Sequence, residues 1–552
     1  MHSKFLSKVT STEVALLVTL FGLYSLVASR ERPWVDARIM YEVAEQIVAS
    51  HRVDIRTEWS PMSHKGPDGR VYSIYGLLPS LVSVPGVAIR DLATKIQPAA
   101  APMFLVVTCH IANSFIAALT CLLFFRLARR LGVGPPAALL TTLMLGGSTM
   151  LFVYARMPMS EALHALCFTG FAGELACLGD GPSPRRALAL GAWAGALVNT
   201  KLIFALSLAS GGIFVVVTFW RDWSTLRRLL GYCSVTLAPL LAVAALYNHL
   251  RWGSPLLTGY ESVDTSATEN PFFGLCGLLF APGKSLFIFS PPLVASVFVS
   301  GAFSRSHRRA AVGFAVASLP VVVAYARYTF WGGDLSWGPR YLNFLVPIAL
   351  LPVALALDKW LVRPRKRAAL GALATLAGAG LVVQILGGAL YWDHFIRVVG
   401  SVKEQWLGTP NRSGSPLLNQ GGKGFCAACF EDMFAYDWLP AFSPVVGHAW
   451  MLRNLAAGND WKQADRNAPW HRYTTLPMNL ADSYPRARID WWGLLWLRDD
   501  PQVQPTGIAL LIAFGGMFVG STVVLLHRSR GPPVGSHEPI SVPSRACGDR
   551  DG

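Results

Sequence analysis

Charge is what this sequence lacks. Only 14% of its 552 residues are Asp, Glu, Lys or Arg, while 53% are hydrophobic. A soluble chain carries about a quarter charged residues, so several water-covered domains are excluded, and so is a disordered or collagen-like chain. Acidic residues are the scarcer sign, 32 against 48 Lys and Arg, a net charge of +16. Cysteine is sparse too. Of nine, six lie inside apolar runs (Cys109, Cys121, Cys167, Cys177, Cys233, Cys276) and read as small hydrophobes, which excludes a disulfide scaffold. No internal repeat is visible, and repeats are what a transporter of inverted halves would carry.

What the chain has is long apolar runs. About 20 such residues cross a bilayer, and helices are expected near 13–29, 102–125, 136–154, 161–178, 187–199, 202–220, 230–247, 287–303, 310–327, 341–357, 368–390 and 506–527. That is an all-α polytopic membrane protein of about twelve spans. The links 126–134, 179–186, 221–228, 304–309 and 358–367 together hold 16 basic residues and three acids, Asp180, Asp222 and Asp358. Basic links mark the cytoplasmic side, so the excess charge reports topology and no nucleic-acid surface is needed. Both termini are then cytoplasmic. The run 187–220 is interrupted by Asn199 and Lys201 and has Arg at both ends, which calls for two short passes. Residues 13–29 read as an uncleaved anchor.

Two long polar segments, 30–101 and 391–505, fall on the other side. Four parts result: a transmembrane module over 1–390, with 30–101 as its first outer loop; an extracytoplasmic Trp-rich loop or domain over 391–505; a last span at 506–527; and a disordered cytoplasmic tail at 528–552. In 36–50, Ile39, Val43, Ile47 and Val48 recur at helical spacing, the mark of an interfacial helix. The late segment holds nine of the chain's eighteen Trp. Trp suits a membrane interface and also stacks on sugar faces. Trp491, Trp492 and Trp496 fit an interfacial belt.

Several residues could carry chemistry. Asp36 follows the first span and is either a general base on an acceptor hydroxyl or an N-cap for the helix after it. Lys65 and Arg70, in a turn-rich stretch leading to Tyr72 and Tyr75, are phosphate-binding cations or solvated loop charges. Arg156 and Glu161 flank a very short outer link, and charges at that depth are costly and therefore functional candidates; a salt bridge or capping pair is the alternative. Lys201, between two apolar segments, needs a partner, an anion or an exit to water. Arg340 and Tyr341 close the stretch Gly332-Gly333-Asp334-Leu335-Ser336-Trp337-Gly338-Pro339-Arg340-Tyr341, where glycines admit close backbone approach and Arg340 offers a planar fork for phosphate. Cys426 and Cys429 form a C-x-x-C, which is redox-active, half a metal site or a local disulfide; an oxidising compartment favours the disulfide.

In order and placement, four features resemble the polyprenyl-phosphate-dependent membrane glycosyltransferases of the GT-C superfamily, in the branch of protein O-mannosyltransferases and lipid A aminoarabinose transferases. They are Asp36 after the first span; Asp68-Gly69-Arg70-Val71-Tyr72-Ser73 through Tyr75-Gly76-Leu77-Leu78-Pro79; Asn248-His249-Leu250-Arg251-Trp252-Gly253-Ser254-Pro255 with Gly277 to Lys284 and Ser290-Pro291-Pro292; and Trp331-Gly332-Gly333 with Trp337-Gly338-Pro339-Arg340-Tyr341. The likeness covers roughly residues 10 to 390. It implies a GT-C-like bundle in a bacterial inner membrane, an active site on the extracytoplasmic face, a polyprenyl-phosphate-linked sugar donor drawn from the membrane lipid, and an acceptor glycan, lipid or protein. The resemblance implies Asp36 as base or acceptor-orienting group, Glu161 as second acid and Lys65 on the lipid phosphate. Arg340 is assigned to the leaving phosphate on its chemistry. Arg70, Tyr75, Arg156, Lys201 and Tyr341 complete the expected binding set. Two departures stand out. Asp36 is followed by Ala37-Arg38 and the next acid is Glu42, which argues against a metal-holding pair, so a divalent cation is an open cofactor and no other is expected. Members of the O-mannosyltransferase type carry C-terminal domains of their own, and the 391–505 segment does not resemble one. An O-antigen ligase or polymerase is the alternative transferase, and a lipid-linked-sugar flippase the alternative from another class; placing 30–101 and 391–505 on opposite sides would exclude both transferases.

Overall fold

The computed structural model describes residues 10–529 except 32–34, 60, 61, 181, 263–269, 329, 330, 334, 335, 393, 397, 399–433, 473–483 and 495–500. Asp334, Cys426, Cys429, Trp496 and the tail from residue 530 lie outside the described residues. Among the described residues, seventeen α-helices precede residue 390: α1 (Ser11–Leu26), α2 (Val35–Ser50), α3 (Leu77–Leu81), α4 (Val84–Ile96), α5 (Ala101–Arg130), α6 (Pro135–Ser148), α7 (Leu151–Ala155), α8 (Glu161–Cys177), α9 (Pro184–Thr200), α10 (Ala205–Phe219), α11 (Trp223–Trp252), α12 (Pro271–Phe280), α13 (Leu286–Phe289), α14 (Pro292–Ser306), α15 (Arg308–Arg327), α16 (Val346–Leu361) and α17 (Arg367–Ala389). A long helix, Gln504–Ser529, closes the described chain and packs along α1. One hairpin interrupts this pattern, β1 (Ser63–Lys65) against β2 (Val71–Ser73), antiparallel with His64 opposite Tyr72.

All twelve expected segments are helical, and the chain is an all-α membrane protein. Helices dominate because lipid offers no partner for a bare backbone N–H or C=O. Among the described residues, eight helices are long and apolar enough to cross a membrane, by length and composition. Leu77–Ile96 is one of the eight and was not among the expected spans. Several expected spans are short instead: α1 has 16 residues, α8 and α9 have 17, and α14 has 15. Helix α8 is enclosed by protein along nearly its whole surface, so its composition is not set by contact with lipid.

The expected span 136–154 is broken by its own sequence. The segment 136–154 is two helices, because Thr149 turns extended after α6 while its hydroxyl donates to the Leu145 carbonyl at 2.6 Å. The Met150 N–H released by that break donates to Ser290 Oγ at 3.2 Å. The run 187–220 is two helices, as its interruption at Asn199 and Lys201 called for, with Lys201 extended between them (φ −159°, ψ 129°).

Four of the five basic links meet at one end of the bundle. His307 contacts the Leu131 carbonyl at 3.2 Å, Arg309 donates to the Gly179 carbonyl at 3.2 Å, and the Gly134 N–H donates to Asp358 at 2.9 Å. The two long polar segments also touch each other. Ser29 and the Arg30 N–H donate to Asp490 at 2.7 and 2.9 Å, and Gln97 donates to the Gln502 carbonyl at 3.1 Å. Tyr436, Phe442, Trp450 and Trp470 of the late segment belong to the same hydrophobic core as the spans.

Trp491 and Trp492 are not simple belt residues. Their indole N–H groups donate to the Leu26 and Ser25 carbonyls at 2.7 and 2.9 Å. These carbonyls belong to the last turn of α1, where a helix has acceptors to spare, and Trp492 is buried. Helix α2 is not a bare interfacial helix either. Ile39 and Val43 pack with Ile55, Trp59 and Val71 of the first loop, and Val48 packs with Val87 of α4.

Candidate functional site

Asp36 lies in the first turn of α2. Its side chain does not serve as that helix's N-cap. Oδ1 accepts from the Tyr75 hydroxyl at 2.6 Å and Oδ2 from Arg340 Nη1 at 2.9 Å. Glu161, the first residue of α8, places Oε1 3.9 Å from the same Nη1. Ser160, before it, makes no side-chain cap. One guanidinium therefore sits between two carboxylates that are far apart in sequence.

Local backbone chemistry delivers these groups. Gly333 adopts φ +68°, and a Cβ there would stand 2.7 Å from Arg340 Cγ. Only glycine lets the loop fold over the arginine. Gly76 presses the first loop onto the Asn199 carbonyl, where a Cβ would stand at 2.2 Å. That contact seats the first loop, at the residue after Tyr75, against the end of α9, which leads into Lys201. The Lys201 ammonium lies 4.5 Å from the Tyr341 ring centre, and the Arg340 guanidinium lies 5.2 Å from the same centre. Tyr341 stacks on Tyr325 with centres 4.5 Å apart. Both cations thus lie within cation–π range of one aromatic ring.

Six expected residues converge here: Asp36, Tyr75, Glu161, Lys201, Arg340 and Tyr341. Their two cations and two carboxylates cancel in charge. Arg340 Nε and Glu161 Oε2 are buried without a hydrogen-bond partner, so polar valence is left over inside the cluster. The carboxylates converge on a guanidinium, which already occupies the position between them. Among the described residues no group of three or more His, Cys, Asp or Glu side chains could hold a metal ion.

Three expected residues are placed elsewhere. Arg156 is 3% exposed and turns to Asp490, which is fully buried. It donates to the Asp490 carbonyl at 2.7 Å and to the Val27 carbonyl, and its Nη2 lies 3.9 Å from the Asp490 carboxylate. It joins the exit of α1, the α7–α8 link and the late segment, which is the salt-bridge alternative for this arginine. Lys65 is exposed at the end of β1. Arg70 is exposed with Nε 3.7 Å from Asp68. The Tyr72 hydroxyl, donating to Asp68 at 2.8 Å, holds that carboxyl below its ordinary range. Glu42 is also engaged structurally, accepting from the backbone N–H groups of Arg56 and Thr57 at 2.7 and 3.2 Å.

Supporting residues escaped the sequence reading. Arg251 is buried and donates to the carbonyls of Ser73 and Tyr75 and to Asn248 Oδ1, tying the first loop to the end of α11. Lys284 is fully buried and donates to Ser336 O and Oγ at 3.2 Å and to Gly338 O at 3.4 Å. It grips the loop that ends in Arg340. The Gly283 N–H next to it donates to the Asp437 carbonyl at 2.8 Å, so the late segment supports the same loop. Both cations lie inside motifs of the sequence, Arg251-Trp252-Gly253 and Pro282-Gly283-Lys284. Only their burial separates them from surface charges.

Crystal structures of ArnT from Cupriavidus metallidurans, one bound to undecaprenyl phosphate and one in the apo state, are similar to this chain with a TM-score of 0.44 and 16% identity. The bound form aligns with 94% of this chain and 76% of its own, the apo form with 93% and 75%. No family model and no curated protein matches the chain.

Proposed function

We propose that this chain is an inner-membrane glycosyltransferase of the GT-C type, moving a sugar from a polyprenyl-phosphate donor to an acceptor hydroxyl at the extracytoplasmic face. The observation that carries this reading is the Asp36–Arg340–Glu161 arrangement beside Lys201, at the end of the bundle formed with the two long polar segments. The ordered motifs around Asp36, Tyr75 and Arg340 support it.

The geometry suits a sequence of events. The donor phosphate competes with Asp36 for Arg340, and Lys201 adds a second cation. Drawing Arg340 away frees Asp36 Oδ2 while Tyr75 still orients the carboxylate through Oδ1. The acceptor O–H then passes its proton to Oδ2 as its oxygen bonds to the anomeric carbon. The bond from that carbon to the phosphate oxygen breaks on the opposite face, so the configuration inverts. The phosphate leaves with the electron pair, and its charge is stabilised by fixed cations, the largest kind of contribution an active site makes. Glu161 holds Arg340 in place from the other side. Lys65 and Arg70 are exposed and suited to the lipid phosphate before it reaches the cluster.

The test is binding of polyprenyl monophosphate to purified wild-type protein and to Arg340→Ala in detergent. Wild type is expected to bind and the variant to bind at least tenfold more weakly. A folded wild type that does not bind overturns the proposal.

A further inference from the structure

Exposed cations and apolar surface meet at the other end of the molecule, where α14 turns into α15. An open groove of about 630 Å³ is lined there by Ser304, Arg305, Arg308, Ala311, Val312 and Ala315. The turn itself is rigidly held. His307 stacks on Phe303 at 5.5 Å and 11°, and it contacts the Leu131 carbonyl. Neighbouring arginines are committed to protein partners: Arg130 to Glu174 at 2.5 Å, Arg186 to the Cys177 carbonyl at 2.5 Å and Arg309 to the Gly179 carbonyl. Arg305 and Arg308 are exposed and have no ion pair or hydrogen-bond partner among the described residues.

The surroundings of these two cations are apolar. Along α15 the groove residues Arg308, Val312 and Ala315 continue at helical spacing into Leu319 and Val323, which are 57% and 49% exposed. On α14, Val297 and Phe298 are 56% and 83% exposed. In a membrane protein such a stripe faces acyl chains. Arg305 does not extend away from it. A Cβ at Gly301 would stand 3.7 Å from Arg305 Nη1, so the guanidinium lies back over the turn of α14 that leads into the stripe. A guanidinium at that level, with apolar surface below it, suits an anion that itself resides at the interface.

We infer that this groove binds the headgroup of an anionic phospholipid, its phosphate held between Arg305 and Arg308 and its acyl chains along Val312, Leu319 and Phe298. Charge complementarity selects this occupant. Basic pockets between helices at the interface recognise acidic headgroups, and arginine forks match phosphate oxygens two at a time. A neutral zwitterionic lipid brings its own cation and gains little. The inference is independent of the Asp36 cluster, so either can fail without the other.

The test measures lipid retained by purified full-length protein, by native mass spectrometry after incubation with cardiolipin, phosphatidylglycerol or phosphatidylcholine. Three proteins are compared: wild type, Arg305→Gln/Arg308→Gln, and a charge-matched control, Arg363→Gln/Arg365→Gln. All four positions are exposed, and thermal melting of each variant checks its folding. Wild type and the control are expected to retain cardiolipin and phosphatidylglycerol, and the groove variant to lose at least tenfold of that retention. Equal losses in both variants would mean diffuse electrostatics and would overturn the groove. So would undiminished binding in Arg305→Gln/Arg308→Gln, or equal retention of phosphatidylcholine by wild type.

Discussion

The two halves of the Asp36–Arg340 pair are expected to respond to mutation with opposite signs. Their atoms are 2.9 Å apart and their side chains are 21% and 16% exposed, so solvent screens them only partly. Two unit charges at about 4 Å interact by about 4 kcal/mol at an effective dielectric of 20. Coupling energies measured for close charge pairs fall in a range of about 1.5–7 kcal/mol. In the proposed mechanism a phosphate must draw Arg340 away from Asp36 against this attraction. Asp36→Asn keeps the side chain's shape and an acceptor for Tyr75 but removes the competing charge. Polyprenyl monophosphate should therefore bind more tightly to it, by about tenfold if roughly 1.4 kcal/mol of the attraction is released. Arg340→Gln should bind at least tenfold more weakly. Transfer should fall in both variants, in Asp36→Asn by about 10²–10⁴-fold, the usual worth of a general base. The assay pairs lipid titration with sugar transfer under saturating donor. Weaker lipid binding in Asp36→Asn would make the pair a structural clamp and refute the competition. Undiminished transfer in that variant would remove Asp36 as base.

Other expectations test the supports. Lys284→Met, which releases the loop carrying Arg340, should lower transfer by about 10–100-fold, since small misplacements at a site are costly; unchanged activity would show that Arg340 is placed without it. Arg156→Met or Asp490→Asn should each destabilise the protein by about 3–5 kcal/mol by stranding a buried charge, and Arg156→Met/Asp490→Asn, which keeps an acceptor for Ser29 and the Arg30 N–H, should recover most of that loss in thermal melting. Failure of the double variant to recover would give Arg156 a role beyond the pair. Lys201→Ala should weaken lipid-phosphate binding more than Lys65→Ala, because Lys201 stands beside Arg340 and Lys65 is exposed; the reverse order would move the phosphate into the first loop. Chelation should leave transfer within about twofold, because Arg340 already stands between the carboxylates, and a larger loss would point to a bound cation.

Much of the architecture was legible in the chain because its causes are local. A bilayer admits helices, so apolar length and basic links announced an all-α bundle and its segments. The same information did not show where an expected span is interrupted. Thr149 broke one by bonding its own helix, and Ser290, distant in sequence, satisfied the N–H that the break exposed. Enclosure also lay beyond a linear reading, since α8 is surrounded by protein and α2 packs on a loop and another helix.

The candidate residues divide in the same way. Asp36, Tyr75, Glu161, Lys201, Arg340 and Tyr341 were legible as costly or oriented groups near helix ends, because a charge at that depth requires a partner whatever the fold. Which partner each takes was decided in three dimensions. Arg156 and Arg340 present the same chemistry in sequence, yet one is pinned to Asp490 and the other lies between Asp36 and Glu161. Lys284 and Arg251 look like surface cations until packing buries them and turns their donors onto loop carbonyls. Residue type and spacing determined that charges of both signs had to be satisfied inside this membrane protein. Only the tertiary structure decided which of them meet, because a pair separated by 304 residues is joined by helix packing and not by any local signal.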